Sequence, residues 1–152
     1  EDSILLVIDV QDCFVEKLPE KSRQPLIDRI VWLINVAAHL NVPILVTAED
    51  MTQCGSVSWQ VSKAISPDTS VYNKMVFGLT EEPDIMQAIQ DTGRRTAILV
   101  GLETDVCVCC TLCPGTSKTW LSSGSGRRRN SVSRNGASIW HRENEGRWCG
   151  DF

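Results

Sequence analysis

Residues 3–10 read SILLVIDV, with five consecutive apolar side chains from Ile4 to Ile8 and an acid, Asp9, directly after them. An alternating pattern would mark a strand with one wet face. A short unbroken run marks a strand covered on both faces, as in a parallel sheet. Working outward, Leu26, Ile30, Leu33 (or Ile34) and Ala37 recur at helical spacing, with Pro25 suited to the first turn and Asn41 to the stop. The run VPILVT (42–47) predicts a second buried strand, and Val71 to Asn73, followed by Lys74, a short third one. Glu82 to Thr92 reads as a helix, with acids in its first turn, Ile85, Met86 and Ile89 on its apolar side and Gly93 after its end. TAILV (96–100) is a further strand, closed by Gly101.

Strands separated by helical crossovers predict an α/β fold, a three-layer α/β/α parallel sheet, because a right-handed crossover packs its helix back onto the sheet. Sites in such sheets lie beyond the carboxyl ends of the strands. Asp9, Lys74 and the segment 101–107 all fall at such ends although they are far apart in sequence. A thiol at Cys107, where a helix is expected to begin, would have its thiolate stabilised by the helix dipole and by Lys74. A carboxylate such as Asp9 could take the thiol proton and later return it to a leaving group. Singly, each residue has a plainer role: a small core thiol, a strand-end cap, a solvated lysine. Their order and context give them weight together.

The stretches LLVIDVQDCF (5–14), VYNKMVFGL (71–79) and ILVGLETDVCV (98–108) resemble the three signature blocks of the isochorismatase-like cysteine hydrolases, in order and with suitable spacing, over residues 3–111. The resemblance implies a Rossmann-like fold with a six-stranded parallel sheet between helices, and a catalytic triad of Asp9, Lys74 and Cys107. It also implies an acyl-enzyme mechanism on a small amide, ester or enol-ether substrate, with the backbone N–H groups of Glu103 and Cys107 forming the oxyanion hole. A cis peptide at Leu102–Glu103 would aim the first of these. Thr104 and Asp105 would fix that turn. Phe14, Trp59 and Phe77 are candidates for the wall of a substrate pocket, with plain core as the competing role of such aromatics. The nicotinamidase branch carries an Asp-x-His metal site after the second strand, but here that region reads TAEDMTQCGS (47–56) and contains no His. His39 and His141 lie elsewhere, so neither a metal nor another cofactor is expected.

The net charge of −4 over 152 residues conceals two unlike parts. Residues 1–113 carry 8 Lys and Arg against 16 Asp and Glu, a net −8, whereas residues 114–152 carry 7 against 3, a net +4, with three of the five Trp among Ser, Gly, Asn and Arg. The reading is therefore a hydrolase domain over 1–113 that stops short, followed by an aberrant basic tail over 114–152 lacking strand or helix periodicity. The tail reads either as a disordered segment or as the product of a changed reading frame near Thr111. A one-base shift of residues 111–121 can spell S-A-L-G-L-L-R-H-G-Y, a helix-like sequence. Without further sheet, Thr96 to Val100 would form an open apolar edge, which invites aggregation or pairing with another chain. A homo-oligomer is thus among the expected partners, beside a small-molecule substrate. The run Arg127–Arg129 is short and sits in no recognition motif, which argues against nucleic acid.

No run approaches the ~18 apolar residues of a membrane span, and no leader opens the sequence, whose first residue, Glu1, is not a start methionine. Seven cysteines, an odd number, point to a reducing, cytoplasmic compartment rather than a disulfide framework. Cys107, Cys109, Cys110 and Cys113 give the spacing of half a zinc site with no second half. The rival reading from another class is a non-catalytic domain that binds small molecules or partners in the same cleft and uses the basic tail for interaction.

Overall fold

The computed structural model describes residues 2–102, 107, 137–142 and 148–150. Its elements are β1 (Ser3–Ile8), α1 (Asp12–Val15), α2 (Glu20–His39), β2 (Ile44–Glu49), α3 (Met51–Cys54), α4 (Trp59–Ala64), β3 (Val71–Lys74), a 3-10 turn (Leu79–Glu81), α5 (Pro83–Asp91), β4 (Thr96–Gly101), β5 (Ala137–Arg142) and β6 (Trp148–Gly150). The strands form one sheet in the order β3-β2-β1-β4-β5-β6. The first four are parallel, with Leu5 opposite Ile44 and Ile98, and Val46 opposite Val71. This parallel body is the α/β fold that the uninterrupted apolar runs predict.

Each face of the sheet builds its own core, because successive residues of a strand point to opposite sides. Leu5, Val7, Val46, Ala48 and Val100 meet Ile27, Ile30, Ile34 and Ala37 of α2 and Val61 of α4 on one face. Ile4, Leu6, Ile8, Leu45, Ala97 and Leu99 meet Ile85 and Ile89 of α5 on the other, where Cys107 is also buried. Among the described residues no helix is long and apolar enough to cross a membrane.

Three expectations need correction. Helix α2 begins at Glu20, so Pro25 lies inside it rather than in its first turn. The proline removes a single N–H from the ladder, and Arg23 holds the helix start by donating to the carbonyls of Leu18 (2.9 Å) and Glu16 (2.6 Å). Strand β2 runs two residues past Thr47, to Glu49, where it pairs with Lys74. Finally, β4 is not an open edge. The segment 137–142 pairs with it antiparallel, from Thr96 opposite His141 to Val100 opposite Ala137, and β6 pairs with β5 in turn. The tail therefore contributes sheet that its composition hides. The proposed frame change near Thr111 and the overlapping cysteine spacing at 109–113 lie outside the described residues.

Candidate active site

The carboxyl ends of β1, β2, β3 and β4 converge, and the side chains there are polar where the strands behind them are not. Asp9 breaks out of β1 in the left-handed region at φ 52°, a conformation that Asp tolerates better than most residues. Its amide donates to the Thr47 carbonyl at 3.2 Å, and its Oδ1 accepts from Thr47 Oγ1 at 2.9 Å. Its Oδ2 lies 2.9 Å from Lys74 Nζ, in an ion pair that is almost wholly buried.

Lys74 ends β3 and is fully buried. Its Nζ donates to the carbonyls of Val76 (2.8 Å) and Phe77 (3.4 Å) and lies 3.5 Å from Glu49 Oε2 and 3.8 Å from Cys107 Sγ. Burial opposes its charge, but Asp9, Cys107 and Glu49 together outweigh that cost and raise its pKa above the ordinary lysine value. The ammonium is thus the fixed positive centre of the site.

Cys107 is fully buried, and its Sγ donates to Glu49 Oε2 at 3.3 Å. Burial pushes the thiol well above its ordinary pKa. Lys74 pulls it down, but Asp9 and Glu49 push it up again. Lys74 thus acts in the expected direction, but burial and the two carboxylates outweigh it, and the sulfur holds its proton more tightly than a free thiol. The chain after Cys107, whose helix dipole was expected to help, lies outside the described residues.

Glu49 is the member of this group that sequence reasoning missed. Once β2 is seen to end at Glu49, the rule that singles out Asp9 and Lys74 singles it out too. Gln11, also missed, grips its backbone: Gln11 Oε1 accepts from the Glu49 N–H at 2.7 Å, and Gln11 Nε2 donates to the carbonyls of Glu49 (2.8 Å) and Gly55 (2.7 Å). A lone Gln after a strand has neither period nor charge to draw attention.

Asp9, Glu49 and Cys107 bring three potential metal-donor atoms within 4.8 Å of one another. The Lys74 ammonium already lies within 3.8 Å of all three side chains, so the donor set is organised around a protein cation. Of the pocket candidates, Phe14 belongs to the buried core beside α2, whereas Trp59 and Phe77 are 64% and 53% exposed. Glu103, Thr104, Asp105 and the Leu102–Glu103 bond lie outside the described residues. Leu102 itself is buried and donates its N–H to the Ile8 carbonyl at 3.3 Å.

The model of the isochorismatase domain family matches residues 3–117. A secreted isochorismatase effector, Isc1, of Phytophthora sojae (strain P6497) is 33% identical over 112 residues, which are 70% of this chain and 51% of that protein. The chain thus spans about half the length of this curated relative. Among solved structures, the MAR1 ribonuclease of Caenorhabditis elegans is similar with a TM-score of 0.65 and 26% identity, over 73% of this chain and 55% of that one. The YcaC gene product of Escherichia coli, described as an octameric hydrolase of unknown specificity, shares the fold at a TM-score of 0.61 and 21% identity, over 73% and 55% of the two chains.

Proposed function

The chain belongs to the isochorismatase family, and from that premise we propose that it is a cysteine hydrolase acting on a small amide, ester or enol-ether substrate. The observation that carries the reading is the buried ammonium of Lys74, 2.9 Å from Asp9 and 3.8 Å from Cys107 Sγ, in a family whose members are hydrolases.

In this reading Cys107 is the nucleophile, Asp9 the proton carrier and Lys74 the charge that pairs with Asp9 and stabilises the sulfur as it loses its proton. On a carbonyl substrate, Sγ attacks the carbon while its proton passes to Asp9. The tetrahedral intermediate collapses, the bond to the leaving group breaks, and Asp9 delivers the proton to that group. Water, deprotonated by Asp9, then attacks the thioester, the acid departs, and the proton returns to sulfur. The N–H groups of Glu103 and Cys107 are the proposed oxyanion donors. A thiol protonated at rest suits this cycle, because the thiolate forms only as it is consumed.

The division of the chain is proposed in amended form. Residues 1–113 carry the chemistry, and residues 114–152 carry none of it, although two of their segments extend the sheet. A homo-oligomer is proposed beside the small-molecule substrate, in keeping with the octameric YcaC protein. A reducing, cytoplasmic setting is proposed from the cysteine usage, against a Phytophthora relative that is secreted by name. Steady-state hydrolysis of a panel of small amides, esters and enol ethers tests the function. Turnover that is lost in Cys107→Ser supports it, and turnover that survives this change refutes it.

A further inference from the structure

Of the four side chains gathered at the strand ends, Asp9, Lys74 and Cys107 are at most 1% exposed, whereas the Glu49 side chain is 25% exposed. Glu49 also touches the sulfur, at 3.3 Å, so among the described residues it is the charged group that both meets solvent and reaches Cys107. Its backbone is clamped on both sides by the buried Gln11, which fixes where the carboxylate stands. Asp9 has committed Oδ1 to Thr47 and Oδ2 to Lys74. Lys74 gives its shortest contacts to Asp9 and to the Val76 carbonyl and shares what remains between the Phe77 carbonyl and Glu49. Among the described residues the Glu49 carboxylate contacts sulfur at 3.3 Å and Nζ at 3.5 Å, and a carboxylate has about four lone-pair sites to fill.

We propose that Glu49 is the specificity-determining residue of this site, admitting molecules that present N–H donors or positive charge beside the reacting carbon and turning away anions. With the thiol protonated, the described site holds two carboxylates against one ammonium. Among the described residues an anion approaching Sγ therefore meets a net negative charge, since the one ammonium there is already paired with Asp9. A donor-bearing neutral molecule finds an acceptor already in place next to the nucleophile. The biological meaning of this role rests on the hydrolase reading above, but its test does not require turnover.

Iodoacetamide and iodoacetate are nearly isosteric, and both alkylate sulfur with loss of iodide, the thiol proton passing to a base. The first is neutral with two N–H donors and the second is an anion. The rates of both at Cys107 are read by peptide mass spectrometry, and their ratio is compared with that of glutathione under the same conditions. At low salt the ratio at Cys107 is expected to favour iodoacetamide by about tenfold more than in glutathione, and to shrink as salt screens the partly exposed carboxylate. Glu49→Gln should bring the ratio close to the glutathione value, while Glu49→Asp, which keeps the charge, should retain most of it. The ratio is the deciding quantity, because removing the charge also lowers the thiol pKa and quickens both reactions. A Glu49→Gln ratio equal to that of the wild type, with both rates changed alike, would overturn the proposal, as would a wild-type ratio equal to that of glutathione at low salt. Should neither variant fold, the salt dependence of the wild-type ratio decides alone. Failure of the hydrolase reading looks different: no substrate of the panel turns over, whatever the alkylation ratio.

Discussion

The sulfur of Cys107 sits among an ammonium and two carboxylates, and its behaviour follows from their sum. Burial raises its pKa first, Lys74 lowers it, and Asp9 and Glu49 raise it. Changing Asp9 to Asn removes one of the groups that keep the proton on sulfur, so alkylation of Cys107 by iodoacetamide should become faster. The same change removes the proton carrier, and hydrolysis should fall by roughly 10²–10⁴-fold, the usual worth of a positioned acid-base group. Opposite movement of the two rates, measured side by side, distinguishes a proton carrier from a residue that merely supports the fold. Stability should also depend on pH. The ordinary values are 9.0 for the thiol and 10.5 for lysine, and both Cys107 and Lys74 are raised above them on folding. A group raised in this way lends stability below its unfolded value and loses it as pH climbs toward the folded one. The melting temperature should therefore fall from about pH 9 upward, and less steeply in Cys107→Ser over the first unit. Cys13, whose thiol is pushed up to about 12 by burial and by its neighbour Cys54, adds to the same slope. A Cys13→Ser control separates the two. Asp9, Lys74 and Cys107 are legible in the sequence because each falls at or just beyond a strand end and inside one of the three motif blocks. Glu49 is not, because Ala48 and Glu49 look like the start of a loop until the pairing of β2 with β3 is known.

At the scale of elements, the close approach of β1 and β4 delivers the chain to Cys107. Gly101 faces Ile8 in register, and a Cβ built on it would lie 2.1 Å from the Ile8 carbonyl oxygen. Backbone cannot yield as a side-chain tip can, so the two strands would have to part. Gly101→Ala should cost about 2–3 kcal/mol, within the usual range for overpacking a well-packed core, and urea unfolding measures it. A change below about 0.5 kcal/mol would mean that the strands separate easily there. The strands were legible because both their faces are apolar. The start of α2 was not, because Pro25 imitates a helix start, whereas the contacts of Arg23 with Glu16 and Leu18 that set the true one are tertiary.

At the scale of the whole molecule, composition divides the chain where the sheet does not. Residues 114–152 lack periodicity, yet Ala137–Arg142 and Trp148–Gly150 extend the sheet antiparallel from β4. A single antiparallel strand needs only unpaired backbone beside it, and that edge is created by β4 at a distance in sequence, so no local pattern announces it. Removing residues 137–152 should bare the β4 edge and produce dimers or aggregates in light scattering. A truncated chain that stays monomeric and melts where the full chain does would show that this pairing contributes nothing to solubility or stability.

The central claim is that Cys107 is a nucleophile served by Asp9 and Lys74. The most direct measurement is the intact mass of the protein quenched in acid during reaction with p-nitrophenyl acetate, followed by peptide mapping. The account predicts one acetyl group on Cys107, absent from Cys107→Ser and longer-lived in Asp9→Asn, which lacks the base that activates water for its release. Acetylation elsewhere, or equal labelling in Cys107→Ser, would contradict it.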